Sequence, residues 1–280
     1  ALVSLESQST GRPVREYRAQ LARVPEWFEH HAAVAESAET GVVLGFSDAT
    51  DHLAYTRRRA LGVCGLITPF NHPLLIASKK IAVALATGNC CVVKPPEVAP
   101  GTILELARCL DLAGLPAGAL NVVTGVGREV GHALAAHEAV AKVDFTGGTA
   151  VGRSIGAAVG ARAKSYCAEL GGNAAVLVFD DVAATTTEST EALLTEAVDG
   201  VAFAAFVAAG QTCVSAKRIL VHERVVDAFA ERLAAKADAL IVGDPADPRT
   251  DVGPLISPKA RDAVAEQVSR ALADGAVAIA

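Results

Sequence analysis

Two residues in the second half of the sequence have the chemistry of a covalent catalyst. Cys213 lies in Gly210-Gln211-Thr212-Cys213, where an Ala-rich helical run breaks at a glycine and continues as a polar turn. A thiol at such a break is exposed and nucleophilic. Glu169 closes the extended apolar run Ser165-Tyr166-Cys167-Ala168, so its carboxylate is expected to be desolvated, which suits a general base. Asn71 follows Thr68-Pro69-Phe70 directly after a strand, where it either caps the next helix or donates its amide N–H to an oxyanion; capping is the commoner role. Lys94-Pro95-Pro96-Glu97 sits where a buried strand gives way to a loop. A cation and a carboxylate there can hold a ribose diol or a phosphate, although such a pair is more often a solvated loop feature.

The glycines extend the pattern. Thr124-Gly125-Val126-Gly127-Arg128-Glu129-Val130-Gly131 follows a strand and opens a helix, and Phe145-Thr146-Gly147-Gly148-Thr149 repeats the arrangement. Glycine lets backbone approach an anion, and a helix N-terminus offers unpaired N–H groups and the positive end of its dipole. Neither stretch is the G-x-G-x-x-G fingerprint, so each alone reads as readily as a tight strand-to-helix turn.

These residues need a frame. From residue 62 onward, short β-branched runs alternate with amphipathic helical ones: strands over 62–67, 90–94, 120–124, 139–145 and 163–170, with helices over 73–86, 101–113, 128–137 and 150–161. That alternation predicts an α/β, doubly wound parallel sheet with helices on both faces, because parallel strands need crossover connections. The first forty residues read as helix, and residues 41–60 as a polar hairpin arm with a turn near Asp48. After Gly171-Gly172 the pattern restarts with strands over 174–179 and 216–222 and helices over 190–209, 224–239 and 259–274. The polar stretch Thr185 to Thr190 reads as a surface loop capping the first of these. The expected division is residues 1–171 as a first α/β domain, with the arm inserted, and 172–280 as the start of a second.

Composition removes other classes. Of 280 residues, 51% are hydrophobic and 20% charged, too apolar for a disordered chain. The net charge of −6 and the lack of a basic patch beyond Arg57-Arg58-Arg59 argue against nucleic acid. The longest apolar run, Val201 to Ala209, is too short to span a bilayer, so no membrane partner is expected. Six cysteines show no zinc-type spacing, and Cys64, Cys90, Cys91 and Cys109 read as packing residues; no metal is expected. Without a disulfide framework or a secretion signal, the expected location is cytoplasmic. The sequence begins at Ala1 without methionine and ends on a strand-like Ala276-Val277-Ala278-Ile279-Ala280, so both ends read as cut.

Taken together, the segments resemble the aldehyde dehydrogenase superfamily. Ile67-Thr68-Pro69-Phe70-Asn71 matches its Pro-aromatic-Asn segment, Lys94-Pro95-Pro96-Glu97 its K-P-x-E element, and Phe145-Thr146-Gly147 its F-T-G segment. Glu169-Leu170-Gly171-Gly172 matches its E-L-G-G signature, and Gly210-Gln211-Thr212-Cys213 its cysteine signature, all in family order. The resemblance implies a Rossmann-like fold and NAD-dependent oxidation of a small-molecule aldehyde to a carboxylic acid. Cys213 is then the nucleophile that passes through a thiohemiacetal and a thioester, Asn71 an oxyanion donor, and Glu169 the base that activates water. It also implies cofactor contacts at Ile67, Thr68, Pro69, Phe70, Lys94, Glu97, Gly127, Gly131, Phe145, Thr146, Gly147, Gly148 and Leu170. Glu97 would repel a 2′-phosphate, which favours NAD over NADP. Residues 41–60 match the family's oligomerisation hairpin, so a homodimer or homotetramer is expected of the full-length protein.

There are departures from the family pattern. Phe70 stands where the family more often has Trp, and Gly148 where it usually has Ser. The stretch between Glu169 and Cys213 is longer than usual. The E-x-F-G-P segment, whose Glu usually binds the nicotinamide ribose, is absent. The sequence is therefore expected to be a central piece of a longer enzyme, with apolar surface exposed on its second domain. Two alternatives stand beside that reading: a truncated relative that binds a dinucleotide or partner subunits without turnover, and an enzyme that passes its thioester to coenzyme A.

Overall fold

The computed structural model describes residues 1–44, 53–183 and 187–280. By its internal contacts the chain forms two compact units, one of Gln20–Glu169 and one of Ala1–Ala19 with Leu170–Ala280. Along the chain the units change over between Glu169 and Leu170, and the first nineteen residues belong to the C-terminal unit. Sequence adjacency alone favours the unit Gln20–Glu169; among the ties that place them otherwise is the Val14 N–H, which donates to the Pro245 carbonyl at 2.8 Å.

The N-terminal helical region is three helices, α1 Leu2–Thr10, α2 Val14–Leu21 and α3 Val24–Ser37, broken where Gly11 turns left-handed before Pro13 and again at Arg23. The arm appears as β1 Val43–Leu44 paired antiparallel with β2 Ala54–Tyr55; its expected turn near Asp48 lies outside the described residues.

The unit Gln20–Glu169 is built on a sheet. Its strands are β3 Val63–Ile67, β4 Cys90–Lys94, β5 Leu120–Val122, β6 Val140–Thr146 and β7 Ser165–Glu169. The crossover helices are α4 Pro73–Ala86, α5 Gly101–Leu112, α6 His132–Ala136 and α7 Thr149–Gly160. All five strands are parallel, in the order β5-β4-β3-β6-β7. The chain leaves β3 in one direction, returns, and continues on β3's other side through β6. Because crossovers are right-handed, that reversal puts α4 and α5 on one face and α6 and α7 on the other. The middle of the sheet is fully covered: Cys91, Val93 and Val143 have no exposed surface, nor do Ile81 and Ile103. Lys80 of α4 pairs with Asp144 of β6, as a buried charge requires.

The other unit pairs β8 Ala175–Val178 with β9 Arg218–Val221 in parallel. Two helices, α8 Thr187–Phe206 and α9 Val226–Asp238, cover one face. Leu194, Val198 and Val201 recur at helical spacing on α8 and enclose a core with Val178 and Phe229. Period-2 alternation sends Leu177, Phe179 and Leu220 the other way, where they are exposed. The last helix, α10 Pro258–Ala273, starts at Ser257, whose side chain accepts from the Ala260 N–H at 3.2 Å.

Several expectations are corrected. Residues 276–280 form no strand and are exposed. Cys90 and Cys109 are exposed rather than packed, because Cys90 opens its strand and Cys109 faces outward on α5. Thr187 to Thr190 already belong to α8, not to a loop. Although the uninterrupted apolar run is short, the segment Glu191–Gly210 as a whole is long and apolar enough to cross a membrane by length and composition. In this unit its Leu194–Val198–Val201 stripe serves the core instead.

Candidate functional site

The residues singled out in the sequence fall into two sets, one in each unit. In the unit Gln20–Glu169 they collect at the C-terminal edge of the sheet. In open α/β sheets a crevice forms there, where the strand order reverses, here between β3 and β6. Ile67 ends β3 and is buried; Thr68, also buried, donates its N–H to the Lys94 carbonyl at 3.2 Å, tying the ends of β3 and β4 together. Pro69, Phe70 and Asn71 are half-buried in the bend before α4. Asn71 is not the helix cap: that position is His72, which makes no side-chain capping bond. The His72 ring instead lies 2.9 Å from the Gln20 amide nitrogen.

One strand out, Lys94 ends β4 with only 4% of its surface exposed. Burial lowers the pKa of its ammonium, and the nearby Glu97 carboxylate acts in the opposite direction. Glu97 is exposed, and its Oε2 accepts a 2.6 Å hydrogen bond from the Gly127 N–H. A Cβ placed on Gly127 would stand 3.5 Å from that oxygen and 3.7 Å from Lys94 Nζ, so all three groups share one spot. Gly131 lies inside the turn that follows, where its backbone packs near the Ile67 side chain.

On the other side of the reversal, Phe145 is buried near the end of β6, and its ring lies over Gly147. Thr146 closes the strand. The Gly147 N–H donates to the Glu169 carbonyl at 3.0 Å. Gly148 is the N-cap of α7 in an extended conformation with open space around it. Glu169 itself is exposed, contrary to the expected desolvation. The reason is topological: β7 is an edge strand, so Tyr166 and Cys167 are only half-buried and enclose nothing at its end.

Leu170, half-buried, and Cys213 belong to the other unit. The thiol of Cys213 is exposed, as its position at a helix break predicts. The break comes earlier and is sharper than composition suggests. The helix expected to reach Ala209 ends at Phe206, and Ala208, Ala209 and Gly210 then take φ of 54°, 52° and 71°. L-residues adopt that left-handed region singly and reluctantly, so the turn persists only because its surroundings fix it. The Gln211 N–H donates to the Ala208 carbonyl at 3.0 Å. Lys217 Nζ and the Ser215 hydroxyl both donate to the Gly210 carbonyl, at 2.6 and 3.1 Å. The Gln211 side chain accepts from the Ile256 N–H at 3.0 Å. Gly172 abuts the same loop: a Cβ there would meet the Cys213 carbonyl oxygen at 2.7 Å. Lys217, Ser215 and Ile256 carry no motif, whereas Gly172, Gly210 and Gln211 belong to the two signatures.

Three or more His, Cys, Asp or Glu side chains do not come together as a metal site anywhere among the described residues. The sequence matches the Aldehyde dehydrogenase family over residues 1–280. It is 40% identical over 277 residues to betaine aldehyde dehydrogenase 2 of Rhizobium meliloti (strain 1021), taking in 99% of this chain and 54% of that protein. Among solved structures, betaine aldehyde dehydrogenase of Staphylococcus aureus in complex with NAD+ aligns at a TM-score of 0.92 and 32% identity, over 100% of this chain and 54% of that one. Glyceraldehyde-3-phosphate dehydrogenase of Methanocaldococcus jannaschii complexed with NADP aligns at 0.88 and 34%, over 98% and 57%. The chain spans about half the length of the relatives it matches.

Proposed function

The chain belongs to the aldehyde dehydrogenase family, and from that premise we propose that the protein oxidises a small-molecule aldehyde to a carboxylic acid with NAD as the electron acceptor. The observation that carries the reading is the exposed Cys213 thiol on a loop whose backbone is held in a left-handed turn. An unreactive cysteine gives no reason to keep such a conformation, whereas a nucleophile needs a fixed approach.

In this reading the Cys213 sulfur, as thiolate, adds to the aldehyde carbon, and the carbonyl electron pair moves onto oxygen. The Asn71 side-chain amide and the Cys213 backbone N–H donate to that oxyanion. Bound NAD would supply the two-electron acceptor that turns the cysteine adduct into a thioester. Glu169 then takes a proton from water, the hydroxide adds to the thioester carbon, and the Cys213 thiolate leaves as the acid is released. The exposure of Glu169 suits this last role, since its substrate is water.

The residues present fit the dinucleotide. Lys94 and Glu97 bring an ammonium and a carboxylate to one spot at the end of β4, with Gly127 leaving room beside them. A carboxylate accepts from both hydroxyls of a ribose diol and repels a 2′-phosphate, so NAD is favoured over NADP. The backbone at Gly148 and the start of α7 offer N–H groups to a pyrophosphate, with Gly147 leaving room for its approach. Within the unit Gln20–Glu169, Ile67, Pro69 and Phe70 are the apolar residues beside it, and the family motifs add Thr68 and Leu170 to the proposed contacts. The test is NADH formation from a panel of aldehydes by the protein and by its Cys213→Ala form. Activity confined to the parent supports the reading, and equal rates for the two would remove Cys213 from the chemistry.

A further inference from the structure

The left-handed turn before Cys213 is clamped from far away in sequence. Glu16 of α2 accepts the Ala208 N–H on its Oε2 at 3.1 Å, across 192 residues of chain. The same oxygen accepts from Arg12 Nε at 2.5 Å. Arg12 is itself buried, its guanidinium lies over the Tyr17 ring at 5.0 Å, and its carbonyl accepts from the Ser7 hydroxyl at 2.7 Å. The Tyr17 hydroxyl is in turn 2.9 Å from Thr10 Oγ1.

This is an expensive way to hold a loop if packing alone were at stake. A carboxylate and a guanidinium are both taken out of water, and their mutual attraction about offsets that cost rather than adding to it. What the pair provides is direction. Arg12 fixes the carboxylate, and the carboxylate fixes the first peptide N–H of a turn that no intrinsic preference of Ala208 or Ala209 would form. Five residues on stands Cys213.

We propose that Glu16, oriented by Arg12, is a positioning residue for the Cys213 thiol, acting through the Ala208 N–H. The proposal rests on the reading of Cys213 as nucleophile, but its test does not require turnover. Glu16→Ala removes the acceptor; Glu16→Gln keeps an acceptor oxygen and loses only the charge. In the full chain, iodoacetamide alkylation of Cys213 is followed by peptide mass mapping, with the exposed Cys109 as reference in the same sample. Glu16→Ala is expected to change the Cys213 to Cys109 rate ratio at least about threefold, and Glu16→Gln to restore it to within about twofold. Where aldehyde oxidation is measured, kcat in the Ala form is expected to fall roughly tenfold with KM little changed.

A merely structural role predicts something else: a lower melting temperature with the ratio unmoved in the folded protein, and that result overturns the proposal. So does a Gln form no better than the Ala form. If the Ala form does not fold, Glu16→Asp takes its place, because the shorter side chain keeps the charge and withdraws the acceptor; an unchanged ratio there also overturns it. The Cys213→Ala control separates the two claims. Activity surviving in that control defeats the functional reading and leaves the alkylation ratio as the judge of this one.

Discussion

The Gly127 N–H donates to the Glu97 carboxylate at 2.6 Å, across thirty residues of chain. The bond fixes a negative charge beside the buried Lys94, at the C-terminal edge of the sheet one strand from where the order reverses. A hydrogen bond of this kind survives replacement of carboxylate by amide, because the acceptor oxygen remains. Glu97→Gln is therefore expected to keep the local geometry and lose only the charge. Its affinity for NADP relative to NAD should rise by about tenfold, the effect of removing roughly 1–2 kcal/mol of repulsion near the surface. Fluorescence titration of both dinucleotides against parent and variant checks this, and an unchanged ratio would show that Glu97 does not face the 2′ position.

Lys94 gives a prediction of opposite sign for stability and binding. Burial lowers its pKa, so the folded state holds its proton less tightly than the unfolded state does. Between the folded value and the model-peptide value of 10.5 the unfolded state binds more protons, and this group's contribution to stability rises with pH. At neutral pH the charge is a cost. Lys94→Met should raise the melting temperature by a few degrees, the equivalent of about 1 kcal/mol, while weakening dinucleotide binding roughly tenfold. Calorimetry with and without NAD separates the two effects. A variant that is both less stable and unable to bind would mean that Lys94 is part of the core.

How much of this was legible in the sequence depends on whether local pattern decided the structure. Helix α4 begins at Pro73, and strand β4 runs from Cys90 to Lys94, both as expected. Proline at the first helical position and a β-branched run bounded by Asn89 and Pro95 are local signals that nothing overrides. The end of α8 shows the reverse. Val207-Ala208-Ala209 has high helical propensity, yet the chain turns left-handed there because Glu16, Lys217 and Ser215 hold it. No local window contains Glu16, 192 residues away, and nothing in the pattern marks the nearby Ser215 and Lys217 as the turn's partners. Glu169 was misread for a related reason: an apolar run predicts burial only if a neighbouring strand or helix covers it, and β7 is an edge. The candidate positions themselves rest on residue type and motif order, which the sequence carries locally. Their supports do not.

Gly147 and Gly148 are adjacent but differ in what a side chain would meet. A Cβ on Gly147 would stand 2.6 Å from Phe145 Cζ, and Phe145 is buried, so Gly147→Ala must displace a packed ring. A loss of about 1–3 kcal/mol is expected. Nothing lies within 4 Å of a Cβ on Gly148, which caps α7 in an extended conformation. Gly148→Ser should fit and gain a few tenths of a kcal/mol by capping. Urea unfolding of the two variants gives the comparison, and equal effects would deny that Phe145 covers Gly147.

Gly172 tests the cysteine loop from its other side. A Cβ there would meet the Cys213 carbonyl oxygen at 2.7 Å, and a backbone atom cannot swing away as a side-chain tip can. Gly172→Ala should therefore move the peptide that carries the proposed nucleophile. Aldehyde oxidation is expected to fall by roughly a hundredfold, since a shift of about 1 Å costs that much. Measuring kcat alongside the melting temperature distinguishes misplacement from unfolding; a stable, fully active variant would refute the contact.

The buried thiols set the alkaline limit of the fold. Burial pushes Cys91 up to about 12, with Cys64 and Cys90 adding to the shift, and Cys64 is raised for the same reason. The neutral thiol is thus favoured in the folded state. Below the model-peptide value of 9.0 neither state is ionised and the preference contributes in full. As the pH rises above that value the unfolded chain ionises first, so stability falls continuously towards about 12. Lys94 works against this decline, because its contribution grows with pH up to 10.5. Tyr17, whose hydroxyl is raised by burial and by Glu6, adds to the decline from 10 upward. Cys91→Ala should lower stability at pH 7 by about 1–2 kcal/mol, since Cys91 is fully buried at the centre of the sheet, yet flatten the loss between pH 9 and 11. Urea midpoints at closely spaced pH values measure the slope directly. If parent and variant lose stability in parallel, the Cys91 thiol does not ionise on unfolding in that window, and the alkaline limit belongs to Tyr17.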